Sequence, residues 1–298
     1  MSTPQSLYGP LVTAMVTPFT AEGAVDFSRA QELAARLLQN GSTGIVVSGT
    51  TGESPTINKQ EKLDLFRAVK EAAGDSPVIA NTGSYDTAAS VALTQEAERI
   101  GVAGILGVVP YYSRPSQEGL YQHFKAMAQA TSLPVMLYNL PGRTARNMEV
   151  ATTARLSEIS NIVATKEASG DLAQVARTRI ATGDDFQIYS GNDGDTLPML
   201  TLGACGVVSV ISHIAGNEMR QMMDAFWKGD TDTARDIHLR LMPVVDALFP
   251  ATTSNPAPLK AALQLHGFDC GGLRLPLVDA TQAERSAVEK AMRGAGLL

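Results

Sequence analysis

Cysteine and long hydrophobic runs are both scarce in this 298-residue sequence. Its two cysteines, Cys205 and Cys270, lie far apart and outside any CxxC spacing. That scarcity argues against a disulfide framework and indicates no zinc site, so both are predicted to be small core residues in a reducing compartment. The longest uncharged run, residues 196–212, is interrupted by proline and glycine and is too broken to cross a bilayer.

An excess of positive charge is also missing. The formal net charge is −6 and the pI is about 5.3, which argues against a surface for nucleic acid. The opening stretch MSTPQSLYGP lacks the basic and then apolar layout of a secretory signal peptide. With 44% hydrophobic and 18% charged residues, the composition is that of an ordinary globular protein. We therefore expect a cytoplasmic protein with no nucleic-acid or membrane partner.

Short apolar runs recur along the chain, and a helical pattern follows each of them. The eight predicted strands are Leu11–Val16, Gly44–Val47, Val78–Ala80, Ile105–Val109, Val135–Tyr138, Ile162–Ala164, Phe186–Tyr189 and Val207–Ile211. Alternating strands and helices specify a parallel sheet, and eight such units are the number that closes a (β/α)8 barrel. A doubly wound open sheet is the rival architecture, but no GxGxxG motif follows the first strand.

Helical patterns continue beyond the eighth unit. Residues 231–248, 258–265 and 281–294 each have helical periodicity, and no proline- or glycine-rich linker precedes them. We predict a barrel domain over residues 1–228 and a C-terminal helical region, residues 229–298, packed against it. The predicted fold class is therefore α/β, a TIM barrel with a C-terminal helical extension.

Polar side chains follow the predicted carboxyl ends of five strands, where barrel enzymes carry their catalytic groups. These side chains include Thr50, Thr51, Tyr111, Tyr112, Tyr138, Arg143, Lys166 and Asn192. Taken singly, each has an ordinary structural interpretation: the threonines could satisfy a turn, the tyrosines could pack, and the charged groups could lie at the surface. Their common position at one face of the barrel favours a catalytic site.

Lys166 has a specific chemical use at that face. An ε-amine shielded from water has its charged form disfavoured, and the neutral amine can condense with a ketone to a Schiff base that stores carbanion character as an enamine. Tyr138, one strand away, could move the protons, helped by the hydroxyl groups of Thr50 and Tyr112. The hydroxyls of Thr50 and Thr51 and nearby backbone N–H groups suit the carboxylate of a 2-oxo acid. No metal is required.

The four histidines show no spacing typical of metal ligands, so structural roles are predicted for them. They are His123, His213, His238 and His266.

Four segments, in their order and spacing, resemble the dihydrodipicolinate synthase/N-acetylneuraminate lyase family of class I aldolases. The segments are GTTGES, PYYSRPSQEGLYQHF, YNLPGRT and TKEASGD, and the resemblance extends to SNPAPLKAAL near the C-terminus. It implies a cofactor-independent barrel enzyme, a homotetramer of tight dimers, in which Lys166 forms the Schiff base with pyruvate. Tyr138, Thr50 and Tyr112 would form the proton relay, with Tyr112 supplied by the neighbouring subunit.

The resemblance also assigns substrate-binding positions. Thr51 matches the position that helps to hold the pyruvate carboxylate, and Gly191 and Val208 match positions lining the Schiff-base pocket. Arg143 matches the arginine that binds the carboxylate of L-aspartate 4-semialdehyde in the synthases of the family, and a planar guanidinium suits that task. We therefore favour condensation of pyruvate with this semialdehyde on the route to lysine.

Two other functions stay open at this point. An aldolase or dehydratase acting on a 2-keto-3-deoxy sugar acid would use the same Lys166 enamine, although a polyhydroxy chain has less need of Arg143. A catalytically inactive paralogue kept as a binding protein is the third possibility. The intact set of Lys166, Tyr138, Thr50 and Tyr112 counts against it.

Feedback inhibition by lysine is not expected. Many synthases of the family bind lysine at the dimer interface, and the matching positions here are Ser54, Pro55, Lys59, Lys62, Tyr85, Ala89 and Tyr111. Lysine-sensitive members typically carry histidine where Lys59 stands and glutamate where Ala89 stands. The cationic Lys59 would repel the amino acid, and Ala89 removes an anion that would pair with it. Asn81 stands where many relatives have glycine, and the sequence offers no account of it.

Overall fold

The computed structural model describes residues 6–298. The first five residues of the opening stretch MSTPQSLYGP, which is predicted not to be a signal peptide, lie outside this range. Eight parallel strands form a closed barrel, in which each strand pairs with the next along the chain and β8 pairs with β1. Strands β1 to β8 are Leu11–Ala14, Gly44–Val47, Val78–Asn81, Gly104–Val108, Val135–Asn139, Ile162–Glu167, Gln187–Ser190 and Gly206–Ser209. This topology confirms the predicted (β/α)8 architecture.

Twelve α-helices surround and extend the barrel within residues 6–298. Helices α1 to α12 are Phe27–Gln39, Lys59–Ala73, Thr87–Ile100, Gln117–Gln129, Pro141–Thr144, Val150–Ser157, Leu172–Thr182, Thr196–Thr201, Ser212–Trp227, Thr231–Leu248, Ala257–Leu265 and Gln282–Gly294. In this described range, none combines the length and the apolar character that a membrane crossing requires. The start of α2 follows from a capping box, in which Asn58 and Glu61 each accept the other's backbone N–H.

Strands β1 and β8 each end two residues earlier than their apolar patterns predict, and β4 ends one residue earlier. The run Val207–Ile211 suggests a strand to residue 211, but β8 stops at Ser209 because the N–H groups of Val210 and Ile211 both donate to the Asp193 carboxylate at 3.0 Å. Likewise, β1 stops at Ala14, and the N–H of Val16 donates to the His213 ring at 3.2 Å. Side chains from other parts of the chain thus replace ladder partners that a local pattern cannot reveal.

Buried side chains form two layers. Alternate residues of the strands point into the barrel, where Val46, Leu106, Met136 and Ala164 pack together. The intervening residues pack outward against the helices in a larger core. This period-2 alternation is the ordinary geometry of a strand, and it decides which residues near a strand end reach the barrel mouth. Both cysteines are free and buried, as expected.

The C-terminal helices pack on one another and on the last barrel helix. Helix α10 lies against α9, and α12 lies against α10 and α11. This region also contacts the segment after β2. Lys260 on α11 pairs with Glu53 in the loop, and Arg274, between α11 and α12, pairs with Glu61 on α2. The division of the chain at residue 228 into two domains stays a prediction.

Candidate active site

Lys166 and Tyr138 lie side by side at the carboxyl end of the barrel. They are register partners on β6 and β5, and each side chain is 5% exposed. Lys166 follows the inward-facing Ala164 by two residues, so strand alternation directs it into the barrel. The Lys166 ammonium nitrogen lies 4.1 Å from the centre of the Tyr138 ring, within range of a cation–π contact. The predicted nucleophile and its predicted proton donor are thus brought together.

The end of β7 leaves room beside Lys166. A Cβ atom added to Gly191 would lie 2.6 Å from the Ala168 Cβ and 3.1 Å from the Lys166 Cγ. Only glycine therefore fits at position 191 without displacing the lysine or its neighbour. Val208 on β8 is fully buried within the barrel. Gly191 thus borders Lys166 directly and Val208 lies in the barrel interior, while their roles in lining a Schiff-base pocket stay predictions.

The loop after β2 carries the two threonines. Ser48 and Glu53, which bound this loop, both have a φ of 57°, a left-handed conformation that is uncommon for residues other than glycine. Thr51 is buried, and its Oγ1 accepts a hydrogen bond of 2.9 Å from Asn255 Nδ2. Thr50 is half-buried and faces a cavity. The tight turn thus directs Thr51 towards the C-terminal region and Thr50 towards open space.

That cavity has a volume of about 210 Å³ and contains Arg143. Its lining consists of Thr50, Ser54, Pro55, Asn81, Gly83, Val108, Tyr111, Leu140, Arg143 and Thr144. Arg143 lies on the short helix α5 directly after β5, and its Nη2 is 3.5 Å from the Asn255 carbonyl oxygen. The exposed guanidinium and the Thr50 hydroxyl line one space, which suits a small polar ligand with a carboxylate.

Asn81 gains a structural account from this geometry. Its Nδ2 donates to the Ser48 carbonyl oxygen at 2.9 Å and lies 3.5 Å from Ser54 Oγ. The Asn81 amide therefore ties the end of β3 to the strained start of the loop after β2. The sequence alone could not show this, because it does not reveal which carbonyl lies across from position 81.

Tyr112 is the most exposed of the four predicted catalytic residues. Its side chain is 94% exposed, and its backbone has a φ of 70°. The adjacent Tyr111 is half-buried, and its ring meets that of Tyr85 edge-on at a centroid distance of 5.3 Å. Within one chain, therefore, Tyr112 projects into solvent from a strained backbone conformation and makes little contact with its surroundings.

Two buried carboxylates near Lys166 were not predicted to belong to the site. Asp193 accepts hydrogen bonds from Ser209 Oγ at 2.5 Å and from two backbone N–H groups, while burial raises its pKa above the usual range. Glu167 accepts from Asn139 Nδ2 and from the Ser169 N–H at 2.8 Å. Glu167 thus links the end of β6 to that of β5, and Asp193 links the segment after β7 to the end of β8. Nearby, Asp171 is the N-cap of α7.

Two histidines have clear structural roles. The His213 Nε2 accepts from the Val16 N–H, its Nδ1 lies 2.8 Å from the Val210 carbonyl oxygen, and burial lowers its pKa to about 4. His123 Nδ1 lies 2.8 Å from Thr87 Oγ1, and burial likewise lowers its pKa to about 4. Within residues 6–298, no group of three or more histidine, cysteine or acidic side chains could hold a metal ion.

A buried lysine stacked on a tyrosine at the mouth of an eight-stranded barrel is the arrangement expected of a Schiff-base aldolase. The sequence profile of the dihydrodipicolinate synthetase family matches residues 8–295. The chain belongs to this family. It is 54% identical over 292 residues to a 4-hydroxy-tetrahydrodipicolinate synthase of Moorella thermoacetica, covering 98% of this chain and 99% of that protein.

Solved structures agree with this membership. A dihydrodipicolinate synthase from Cyanidioschyzon merolae, solved with lysine bound, superposes with a TM-score of 0.96 at 47% identity, covering 99% of this chain and all of that one. A monomeric dihydrodipicolinate synthase variant superposes with a TM-score of 0.94 at 39% identity over 98% of each chain. The fold of this chain is thus the same as that of these two synthases.

Proposed function

We propose that this dihydrodipicolinate synthetase family member is a 4-hydroxy-tetrahydrodipicolinate synthase that condenses pyruvate with L-aspartate 4-semialdehyde. The observation that carries the proposal is the position of Lys166, buried at the barrel mouth with its amine against the ring of Tyr138. A buried lysine that forms no ion pair within residues 6–298 is rare unless its amine is used. The names carried by relatives at about half identity support the choice of reaction.

The first half of the reaction takes place on Lys166. The amine adds to C2 of pyruvate, the carbinolamine loses water, and removal of a proton from the methyl carbon converts the iminium into an enamine. Tyr138 stands beside the amine and is assigned the proton transfers, with Thr50 and Tyr112 completing the relay. The Thr51 hydroxyl helps to hold the pyruvate carboxylate, while Gly191 and Val208 leave the reacting carbon room. No metal or other cofactor takes part.

The second half forms the carbon–carbon bond. The enamine carbon attacks the aldehyde carbon of the semialdehyde, and the resulting alkoxide takes up a proton. The amino group of the semialdehyde portion then attacks the imine carbon, closes the ring and releases Lys166 as a free amine, so that one water is lost overall. Arg143 binds the semialdehyde carboxylate within the cavity that it shares with Thr50.

The relay requires a second subunit. Because Tyr112 is almost fully exposed in one chain, we propose that it enters the active site of the partner in a tight dimer. The expected assembly is a homotetramer built from two such dimers, and the expected location is the cytoplasm. Size-exclusion chromatography tests this assembly, and a monomeric dihydrodipicolinate synthase variant of the same fold is the alternative state.

Borohydride trapping tests the proposed function directly. The protein is incubated with pyruvate and borohydride, digested, and analysed by mass spectrometry for an adduct on Lys166, with Lys166→Arg as the matched control. An adduct on the wild-type protein alone is expected, and its absence would overturn the proposal. Turnover is then measured with the semialdehyde and with a panel of 2-keto-3-deoxy sugar acids. Turnover of the sugar acids only would assign the chain to that alternative reaction.

A further inference from the structure

Asn255, in the C-terminal region, contacts both residues assigned to substrate carboxylates. Its side chain donates to Thr51 Oγ1 at 2.9 Å, and its backbone carbonyl oxygen lies 3.5 Å from Arg143 Nη2. We propose that Asn255 is a positioning residue that orients the Thr51 hydroxyl towards the pyruvate carboxylate. This inference rests on the proposed function, because it assigns a role in binding that substrate.

The hydrogen bond between Asn255 and Thr51 leaves the hydroxyl hydrogen of Thr51 free. An amide nitrogen can only donate, so the Thr51 oxygen must be the acceptor in its contact with Asn255 Nδ2. The hydroxyl hydrogen of Thr51 then remains available for a second acceptor. Thr51 and Asn255 are each 4% exposed, so water competes little for that hydrogen. A substrate carboxylate is a strong acceptor and gains a hydroxyl already turned towards it.

The contact can be disturbed without releasing the surrounding loop. Lys260, five residues beyond Asn255, holds the same loop through a 2.9 Å contact with Glu53 Oε1 and donates to the Gly272 carbonyl oxygen at 2.6 Å. Arg274 donates to the Thr56 carbonyl oxygen and to Glu61 further along. The C-terminal region therefore stays anchored to this loop when the Asn255 amide is removed.

The two contacts of Asn255 can also be separated. The contact with Arg143 uses the backbone carbonyl, which every substitution at 255 retains, whereas the contact with Thr51 uses the side chain. A side-chain substitution should therefore weaken the binding of pyruvate and leave the binding of the semialdehyde nearly unchanged. A residue that merely stabilises the fold would affect both substrates or neither.

The test compares KM values for the two substrates in Asn255→Ala, Asn255→Asp, Thr51→Val and the double variants. Asn255→Asp places an acceptor where the amide donated, so it captures the Thr51 hydroxyl hydrogen. We expect its pyruvate KM to rise about tenfold or more, equivalent to about 1.4 kcal/mol. Asn255→Ala should raise it less, by about threefold, and the KM for the semialdehyde should change less than about twofold in both. In the Thr51→Val background, substitution of Asn255 should add little further.

Asn161 provides a matched control. Asn161 directly precedes β6, at the end of the barrel opposite Lys166. Its Nδ2 donates to the carbonyl oxygens of Ala128 and Thr131. Asn161→Asp should lower the melting temperature and leave the pyruvate KM unchanged.

An unchanged pyruvate KM in Asn255→Asp, a parallel rise for both substrates, or full additivity with Thr51→Val would overturn the inference. If Asn255→Ala fails to fold, the nearly isosteric Asn255→Asp carries the test. Absence of the Lys166 adduct in the wild-type protein would instead overturn the proposed function.

Discussion

The amine of Lys166 lies against the face of the Tyr138 ring, 4.1 Å from its centre, because the two residues are register partners on neighbouring strands. The ring holds the amine in place, and the phenol is the group assigned to move protons. Phenylalanine at position 138 keeps the first role and removes the second. This separation makes the pair open to a direct test.

We predict that Tyr138→Phe lowers kcat at least about 100-fold, a typical loss for a removed general acid–base group. Borohydride should still trap pyruvate on Lys166 in this variant, although more slowly, because the amine is retained. Steady-state assays and the rate of adduct formation provide the two measurements. Tyr8→Phe is the control, since Tyr8 is also buried inside the barrel but contacts the Pro134 carbonyl oxygen at the opposite end. Unchanged turnover in Tyr138→Phe would contradict the assignment.

The exposure of Tyr112 leads to a prediction about paired subunits. Tyr112→Phe and Lys166→Ala should each be nearly inactive as pure proteins. Mixed and reassembled in equal amounts, they should recover roughly a quarter of wild-type activity, because half of the dimers are mixed and one of their two sites has both groups. Activity measured after mixing, with size-exclusion chromatography as the check on assembly, decides the matter. A mixture as inactive as its components would show that Tyr112 does not act across the interface.

The sequence pattern predicted the barrel and most of its rim for identifiable reasons. Eight apolar runs with helical segments between them are typical of one common architecture, the closed (β/α)8 barrel. That barrel places Lys166, Tyr138 and Gly191 at the carboxyl end of its strands. Asn255 could not be assigned in this way. It bonds to Thr51 across a sequence separation of 204 residues, and neither residue carries a local pattern that points to the other. The Asn81–Ser48 contact was missed for the same reason.

The buried pair of Glu53 and Lys260 should contribute strongly to stability when one partner alone is removed. The two charged atoms lie 2.9 Å apart, and both side chains are almost completely buried. Lys260→Met leaves the carboxylate without its cation, which we expect to cost about 3–5 kcal/mol in the free energy of unfolding. Adding Glu53→Gln should restore part of that loss. Urea unfolding measures each value.

The exposed pair of Arg293 and Glu289 on α12 is the control for that experiment. Arg293→Ala should cost less than about 1 kcal/mol, because solvent screens the pair. Equal losses for Lys260→Met and Arg293→Ala would refute the structural role assigned to the buried pair.

Stability should fall as the pH is lowered from 7 to 5. His213 and His123 are buried, and their folded-state pKa values are lowered from 6.5 to about 4. Between pH 4 and pH 6.5 the unfolded chain binds more protons at these histidines than the folded chain does. The free energy of unfolding therefore increases as the pH rises and decreases as the pH is lowered. Each histidine should account for about 2 kcal/mol of the loss by pH 5. Urea unfolding at pH 7 and pH 5 measures this loss of stability, and His123→Gln should reduce the loss by about half. A wild-type free energy of unfolding that is equal at the two pH values would contradict the prediction.

Insensitivity to L-lysine is the last prediction, and the structure sharpens its basis. Lys59 forms an ion pair with Glu96, which offsets part of the positive charge that would repel the ammonium group of a bound lysine. The missing anion at Ala89 therefore becomes the larger of the two effects. We expect L-lysine at about 1 mM to leave the steady-state rate within about 20% of its uninhibited value. Ala89→Glu with Lys59→His should introduce inhibition, whereas Lys59→His alone should not. Inhibition of the wild-type enzyme by submillimolar L-lysine would refute the prediction, because it would require the site to bind an ammonium group without a carboxylate at position 89.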